Sequence, residues 1–307
     1  MTTNDKISVV LAGVTNGLGY TIAKTLVANP RLSVTLFTRS DTNPQIEPFV
    51  AAGAVVKQVD YTSIDSLAIA LQGIHTVIST VPPVDLTPVR NLLKAAIIAR
   101  VKRFAPSEFA FTEEANGELD YYNNKKVFWE DVRASGLEYT AFRSGLFMDL
   151  FAAGAPVKYE EAPLFLSSVA LDIGAEKKEI PGTGEEKITF TSVRNIAEFV
   201  SAALLLDKWP EELGMAGETT TLNQVVRDAE EIMGRKFEVT YVTVEELRKK
   251  ADETGVKGRA DRMLRFLYQI RAAIAEGKTE IKPYLNEVTD VKPVGVKEFL
   301  GKYWGTK

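Results

Sequence analysis

The stretch Ile7-Ser8-Val9-Val10-Leu11-Ala12, followed by Gly13-Val14-Thr15-Asn16-Gly17-Leu18-Gly19, decides how this chain is read. Its first half is short, apolar and rich in β-branched residues, which suits a strand buried on both faces. Its second half places three glycines directly after that strand. From Tyr20 to Ala28 apolar residues recur at helical spacing, and Asn29-Pro30 ends the run. Glycines at a strand-to-helix turn permit positive φ and remove side chains, so backbone N–H groups can approach a pyrophosphate. The positive end of the helix dipole adds to the attraction. The other reading is a plain tight turn, but three glycines in a strand–loop–helix context favour a dinucleotide site formed by Gly13, Thr15, Asn16, Gly17, Leu18 and Gly19.

Working outward, the same alternation continues. Ser33 to Phe37, Val55 to Val59, Thr76 to Val81, Val101 to Ala105 and Tyr139 to Phe142 read as further strands. Helical patterns run over Ile64–Gln72, Pro88–Ala99 and Lys125–Ala134. Strands alternating with helices build a parallel sheet covered on both faces. The predicted fold is therefore α/β, a Rossmann-type doubly wound parallel sheet with a smaller, interleaved C-terminal substrate-binding domain. The pattern changes after Phe151, which puts the dinucleotide domain at residues 1–155 and the smaller domain at 156–307. The segment 186–206, with a helix from Val193 to Leu206, is expected to pack back on the sheet. Helices over Thr220–Met233 and Thr243–Ala251 flank a strand-like Phe237–Val242.

Composition excludes much else. The 307 residues include 45% hydrophobic and 25% charged residues, the mix of a globular chain rather than a disordered one. No apolar run approaches the ~20 residues of a membrane span. The opening MTTNDK is polar and lacks a signal-peptide pattern, so a cytoplasmic protein is expected. With no cysteine and one histidine, His75, thiol catalysis and multi-ligand Cys or His metal sites are excluded, and no metal is expected. A net charge of −4 argues against nucleic acid as the main partner.

Candidate site residues follow from strand ends, where ligands sit in such sheets. Arg39, just after the second strand, stands where an NAD site would carry a carboxylate. Its guanidinium suits the 2′-phosphate of NADPH, unless it is merely a solvated surface residue. Asp60 either meets the adenine amine or only starts the turn Asp60-Tyr61-Thr62-Ser63. Ser79, Thr80 and Val81 end the fourth strand and are expected to line the ribose and nicotinamide side. Ser107, in Ala105-Pro106-Ser107-Glu108-Phe109, and the segment Tyr121-Tyr122-Asn123-Asn124-Lys125-Lys126 converge on the reactive end. Tyr121 and Lys125 are spaced i, i+4 and would share one helix face. A lysine there can bind ribose hydroxyls or protonate a substrate, or it can be part of a solvated helix start. His75 precedes the fourth strand, at the end away from the ligand edge, and reads as structural.

Taken with Val77-Ile78-Ser79-Thr80, Arg103-Phe104-Ala105-Pro106-Ser107-Glu108-Phe109, Gly136-Leu137-Glu138-Tyr139-Thr140 and Asn195-Ile196-Ala197, the chain resembles the isoflavone-reductase-like branch of the NmrA-like family, atypical short-chain dehydrogenases. The resemblance implies NADPH and reduction of small, often aromatic substrates of secondary metabolism. It implies a catalytic lysine eleven residues before the glycine of the Gly-x-x-Tyr-Thr segment, which lands on Lys125. It also implies an aromatic residue near the nicotinamide, matched by Phe147. The family loop carries glycine where this chain has Asn16. The chain instead satisfies the Gly-x-x-x-Gly-x-Gly loop of ordinary short-chain dehydrogenases, and Tyr121-x-x-x-Lys125, with Ser107 fourteen residues upstream, restores their Tyr-x-x-x-Lys pair. The proton donor is thus Lys125, or Tyr121 assisted by Lys125 and Ser107; the surrounding sequence favours the first. No basic residue follows Arg39 between Ser40 and Ala54, which would weaken phosphate selectivity. Two functions stay open: an NADPH-dependent reductase acting on a small molecule, and a non-catalytic dinucleotide-binding redox sensor that reports to a partner protein.

Overall fold

The first strand, β1 (Ile7–Ala12), is buried on both sides, and its side chains divide by parity between two cores. Val9 and Leu11 join one, with α1 (Gly17–Ala28); Val10 and Ala12 join the other. This alternation lets a continuous apolar run serve both faces of a sheet. The computed structural model describes residues 6–15, 17–40, 44–159 and 169–305.

Chain order continues through β2 (Leu32–Thr38), α2 (Glu47–Ala51), β3 (Val55–Gln58), α3 (Ile64–Ala70), β4 (Thr76–Ser79), α4 (Leu86–Ile98), β5 (Arg103–Ala105), α5 (Glu113–Gly117), a 3₁₀ turn at Asp120–Tyr122, α6 (Asn123–Arg133) and β6 (Glu138–Tyr139). The six strands form one parallel sheet in the order β3-β2-β1-β4-β5-β6. Order reverses between β1 and β4, which opens a crevice at their C-terminal ends, where doubly wound sheets bind ligands. Helices α3, α4 and α6 supply side chains such as Leu67, Leu92 and Phe128 to one face.

The sixth predicted strand divides in two. Thr140, fully buried, donates its N–H to Phe104 O, but the next N–H, of Ala141, turns to Glu211 O. The chain thereby leaves the main sheet as β7 (Ala141–Arg143) and pairs with a later strand, whereas the sequence reads one run over Tyr139–Phe142. After β7 come β8 (Leu146–Phe147), β9 (Lys177–Pro181), β10 (Lys187–Thr191), α7 (Val193–Ala203), β11 (Glu212–Gly214), β12 (Glu218–Thr221), α8 (Leu222–Met233), β13 (Glu238–Val242), α9 (Val244–Glu253), α10 (Arg259–Ala275), α11 (Tyr284–Val288) and α12 (Val296–Trp304).

Helix α7 returns to the sheet. Its Ile196, Phe199 and Val200 are buried with Ile22 and Leu26 of α1. Ser192 starts α7 as an N-cap, accepting from Asn195 N at 3.1 Å. A separate core lies around α8, α10 and α12, with Val225, Phe266, Ile270 and Leu300 fully or nearly buried. Phe147 touches both this core and the core under α1 and α7. The buried Arg103 fastens the far edge: it donates to Leu206 O at 2.8 Å and Asp207 O at 2.6 Å, lies 3.2 Å from Glu138, and covers the Trp209 ring. Among the described residues no helix is long and apolar enough to cross a membrane.

Candidate active site

The glycine loop is pressed against the end of β4. Gly13 has φ +94°, a backbone that side chains strain. Thr80 donates its hydroxyl to Gly13 O at 2.7 Å and to Ala12 O at 3.0 Å. A Cβ built on Gly19 would lie 2.0 Å from Gly13 O and 2.5 Å from Thr80 Oγ1. These two glycines are therefore required by close packing between α1, the loop and β4. Asn16 lies outside the described residues.

In front of this loop runs a groove of about 400 Å3, bounded by Gly13, Val14, Thr15, Thr80, Val81 and Pro82 at the loop, and by Phe37, Thr38, Arg39 and Tyr61 beyond it. Its size falls within the ~300–1,000 Å3 of small-molecule clefts. The first turn of α1 carries no acidic side chain, so nothing of its own neutralises the positive helix end. Arg39 is exposed and borders the groove next to Tyr61, whose phenol burial raises above its ordinary range against the opposing charge of Arg39. A phosphate bearing a ribose fits these residues: an open helix terminus at one place and a guanidinium at another.

Other predicted residues stand apart from the groove wall. Asp60 is exposed and accepts from Thr62 N at 2.8 Å and Thr62 Oγ1 at 2.7 Å, bonds that hold its carboxyl below the usual range and build the turn. It is Tyr61, one residue on, that lines the groove. Ser79 is buried and accepts from Val81 N at 3.2 Å. Gly17 has φ +53° at the start of α1, and Leu18 packs partly against the core beneath it. Ser107 is half-buried in the bend after β5. His75 sits at the N-terminal end of β4, its Nδ1 2.7 Å from Thr76 Oγ1, far from the groove mouth.

Lys125 occupies the first turn of α6, which reaches the groove lip where Asn124 Nδ2 donates to Val84 O at 2.8 Å. Its Nζ lies 4.3 Å from the centre of the Tyr122 ring, within cation–π range of ~6 Å. Burial pushes the Lys125 ammonium below its ordinary value; Glu108 opposes that shift and Arg143 adds to it. Tyr121 does not share a helix face with Lys125. It lies in the 3₁₀ turn before α6, is 46% exposed, and stacks on Phe266 of α10 at 5.0 Å. The tighter 3₁₀ turn changes the phase that an uninterrupted α-helix would have given. Cap helix α10 grips this turn further: Arg265 meets Asp120 at 2.6 Å, and Phe266 meets Tyr122 at 5.1 Å.

The partners missed by the sequence reading are Tyr61, Tyr122, Glu108 and Arg143. Glu108 is buried and accepts from Arg143 Nη1 at 2.6 Å, and Arg143 Nε donates to Glu212 at 2.9 Å. Glu108 adjoins Ser107 in the Pro-Ser-Glu-Phe segment, so the segment was visible although its carboxylate was not singled out.

Similarity to characterised proteins agrees with this geometry. The chain is 29% identical over 241 residues to an oxidoreductase, BOA1, of Botryotinia fuckeliana, covering 75% of this chain and 77% of that one. The solved structure of AtPrR2 with NADP+ and (+)pinoresinol superposes with a TM-score of 0.80 at 18% identity, covering 97% and 98% of the two chains. The binary complex of leucoanthocyanidin reductase with NADPH from Vitis vinifera gives a TM-score of 0.75 at 17% identity, over 96% and 98%. The model of the NmrA-like family matches residues 3–300, nearly the whole chain, and the protein belongs to that family.

Proposed function

We propose that this protein is an NADPH-dependent reductase of the isoflavone-reductase-like type, acting on a small aromatic or secondary-metabolite substrate with Lys125 as proton donor. NADPH, when bound, supplies the hydride. The chain's own residues do the rest. Backbone groups of the loop from Gly13 to Gly19 and the positive end of α1 hold the pyrophosphate. Arg39 pairs with the 2′-phosphate. Val81 and Phe147 bound the nicotinamide side. The ammonium of Lys125 gives a proton to the substrate atom next to the carbon that is reduced.

The observation that carries this reading is the environment of Lys125. A lysine on a helix start is ordinarily solvated, but this one is withdrawn against the Tyr122 ring and depressed in proton affinity by burial. A lysine whose proton affinity is lowered gives up its proton more readily than a solvated one. The exposed position of Tyr121, stacked on the cap, supports Lys125 over Tyr121 as donor, and the half-buried Ser107 then serves as substrate contact. The names of its relatives, reductases and an oxidoreductase, support the reaction class.

The test is turnover of NADPH against a panel of electron-poor aromatic compounds, for wild type and Lys125→Met. The variant should bind NADPH as the wild type does and lose most turnover, by roughly 10²–10⁴-fold, the usual contribution of a positioned acid. Wild-type turnover by Lys125→Met would remove the lysine from the chemistry.

A further inference from the structure

Lys125 lines a small chamber of about 20 Å3 together with Glu108, Asn116, Tyr122, Trp129 and Arg143. It is too small for a substrate and large enough for one water, which needs ~10–15 Å3. Asn116 Oδ1 and Trp129 Nε1 are both buried, and neither has a hydrogen-bond partner in the protein. One is an acceptor and the other a donor, the complement that a single water satisfies. The chamber is thus a polar pocket around the lysine, and its lining shares no residue with that of the groove.

Glu108 is held by Arg143, and Arg143 is shared with Glu212 on β11. Arg143 thus divides its single positive charge between two carboxylates, of which Glu108 borders the chamber. Glu212 is 46% exposed at its side chain, so water screens it, whereas Glu108 and Arg143 are nearly fully buried. From α5, Glu113 also borders the chamber; it is half exposed and pairs with Arg133 at 2.8 Å, a guanidinium shared with Glu211 at 2.5 Å. From α6, Lys126 borders it on an exposed stem. Tyr122 borders it from the 3₁₀ turn, burial raising its phenol above the ordinary range. Among the described residues that border the chamber, Glu108 is therefore the buried carboxylate facing Lys125.

We infer that Glu108 is a positioning residue of the proposed site: fixed by Arg143, it keeps the Lys125 ammonium charged across a one-water chamber so that the lysine stays a proton donor. This inference rests on the role proposed for Lys125 above. Burial is the larger effect on Lys125, and Glu108 is the one that opposes it. Burial alone can depress a lysine by several pH units, and a carboxylate ~4–6 Å away restores about 1–3. Removing the carboxylate would leave burial and Arg143 acting in the same direction.

The experiment is competitive acetylation of the full-length protein with acetic anhydride across pH, with tandem mass spectrometry separating Lys125 from Lys126. It needs neither cofactor nor substrate, so its outcome is independent of whether the reductase reading holds. Glu108→Gln keeps a carbonyl acceptor for Arg143 and should move the half-labelling pH of Lys125 down by about one pH unit or more. Arg143→Met takes a positive charge from the same chamber and should move it up. Either variant tests the inference if the other does not fold. An unmoved midpoint in Glu108→Gln, or a shift of both variants in the same direction as loosened packing would give, overturns it. The alkaline limb of kcat/KM for NADPH turnover should follow the labelling midpoint.

Discussion

Replacing Gly19 by alanine sets two known effects against each other. Within a helix, glycine to alanine is worth up to ~1 kcal/mol in favour of the fold. At Gly19, however, the new methyl would sit 2.0 Å from Gly13 O and 2.5 Å from Thr80 Oγ1. The hydroxyl cannot swing aside freely, because it holds Gly13 O at 2.7 Å and Ala12 O at 3.0 Å. Losing those bonds costs about 0.5–1.5 kcal/mol each, and overpacking adds ~1–3 kcal/mol. The net expectation is a loss of about 2–4 kcal/mol, seen as a fall in Tm on the order of 3–6 °C. NADPH affinity should fall at least tenfold, since the loop must move away from β4. Gly301 of α12 is the control: a Cβ there meets nothing within 4 Å, so Gly301→Ala should raise Tm slightly. Differential scanning calorimetry with and without NADPH reads both. A Gly19→Ala protein that melts at or above wild type and binds NADPH normally would refute the claimed packing of loop, helix and strand.

Other outcomes follow from the same structure. Arg39→Ala should lower NADPH affinity by roughly 10- to 100-fold and leave NADH unchanged in calorimetric titration, the measure of one charged hydrogen-bonded contact; equal losses for both would take Arg39 away from the phosphate. Arg103→Met leaves Glu138 and two carbonyls without their guanidinium, so urea unfolding should show a loss of about 3–5 kcal/mol; a loss under 1 kcal/mol would mean the edge around Trp209 is not fastened there. In acid, hydrogen bonds from Arg133 and Arg265 hold the Glu113 and Asp120 carboxyls below their ordinary 4.5 and 3.8. As pH falls, the unfolded chain takes up these protons first, so the stability they lend is full above about pH 5 and disappears as pH drops through the folded values. The urea midpoint should decline over that window, and a flat midpoint down to about pH 3 would contradict the assignment.

What the sequence made legible was whatever is local. The β-branched run Val9-Val10-Leu11 announces a strand buried on both faces, and the glycines after it announce a tight turn into a helix. The reversal of strand order between β1 and β4, which opens the groove, depends on pairings across the whole first half and leaves no local mark. The break at Thr140 is hidden for the same reason, because Glu211, seventy residues on, captures the next N–H. At the site, the sequence singles out Lys125 but not the ring it lies against. The i, i+4 spacing points to Tyr121, but a single 3₁₀ turn rotates Tyr122 under the ammonium instead. A helix after Gly255 is legible, but the role of α10 is not, because its apolar residues, such as Phe266 and Ile270, are spread among charges and serve a core far away in sequence. Yet it is α10 that fixes the turn before the lysine, through Arg265 and Phe266.

The central claim is that the groove at the β1–β4 crevice is built for a phosphorylated dinucleotide. The most direct measurement is a titration of the purified protein with NADPH and, separately, with NADH, followed by nicotinamide fluorescence. The account predicts saturable binding of NADPH, tighter than NADH by roughly 10- to 100-fold, from the Arg39 contact. Binding of neither dinucleotide would contradict it.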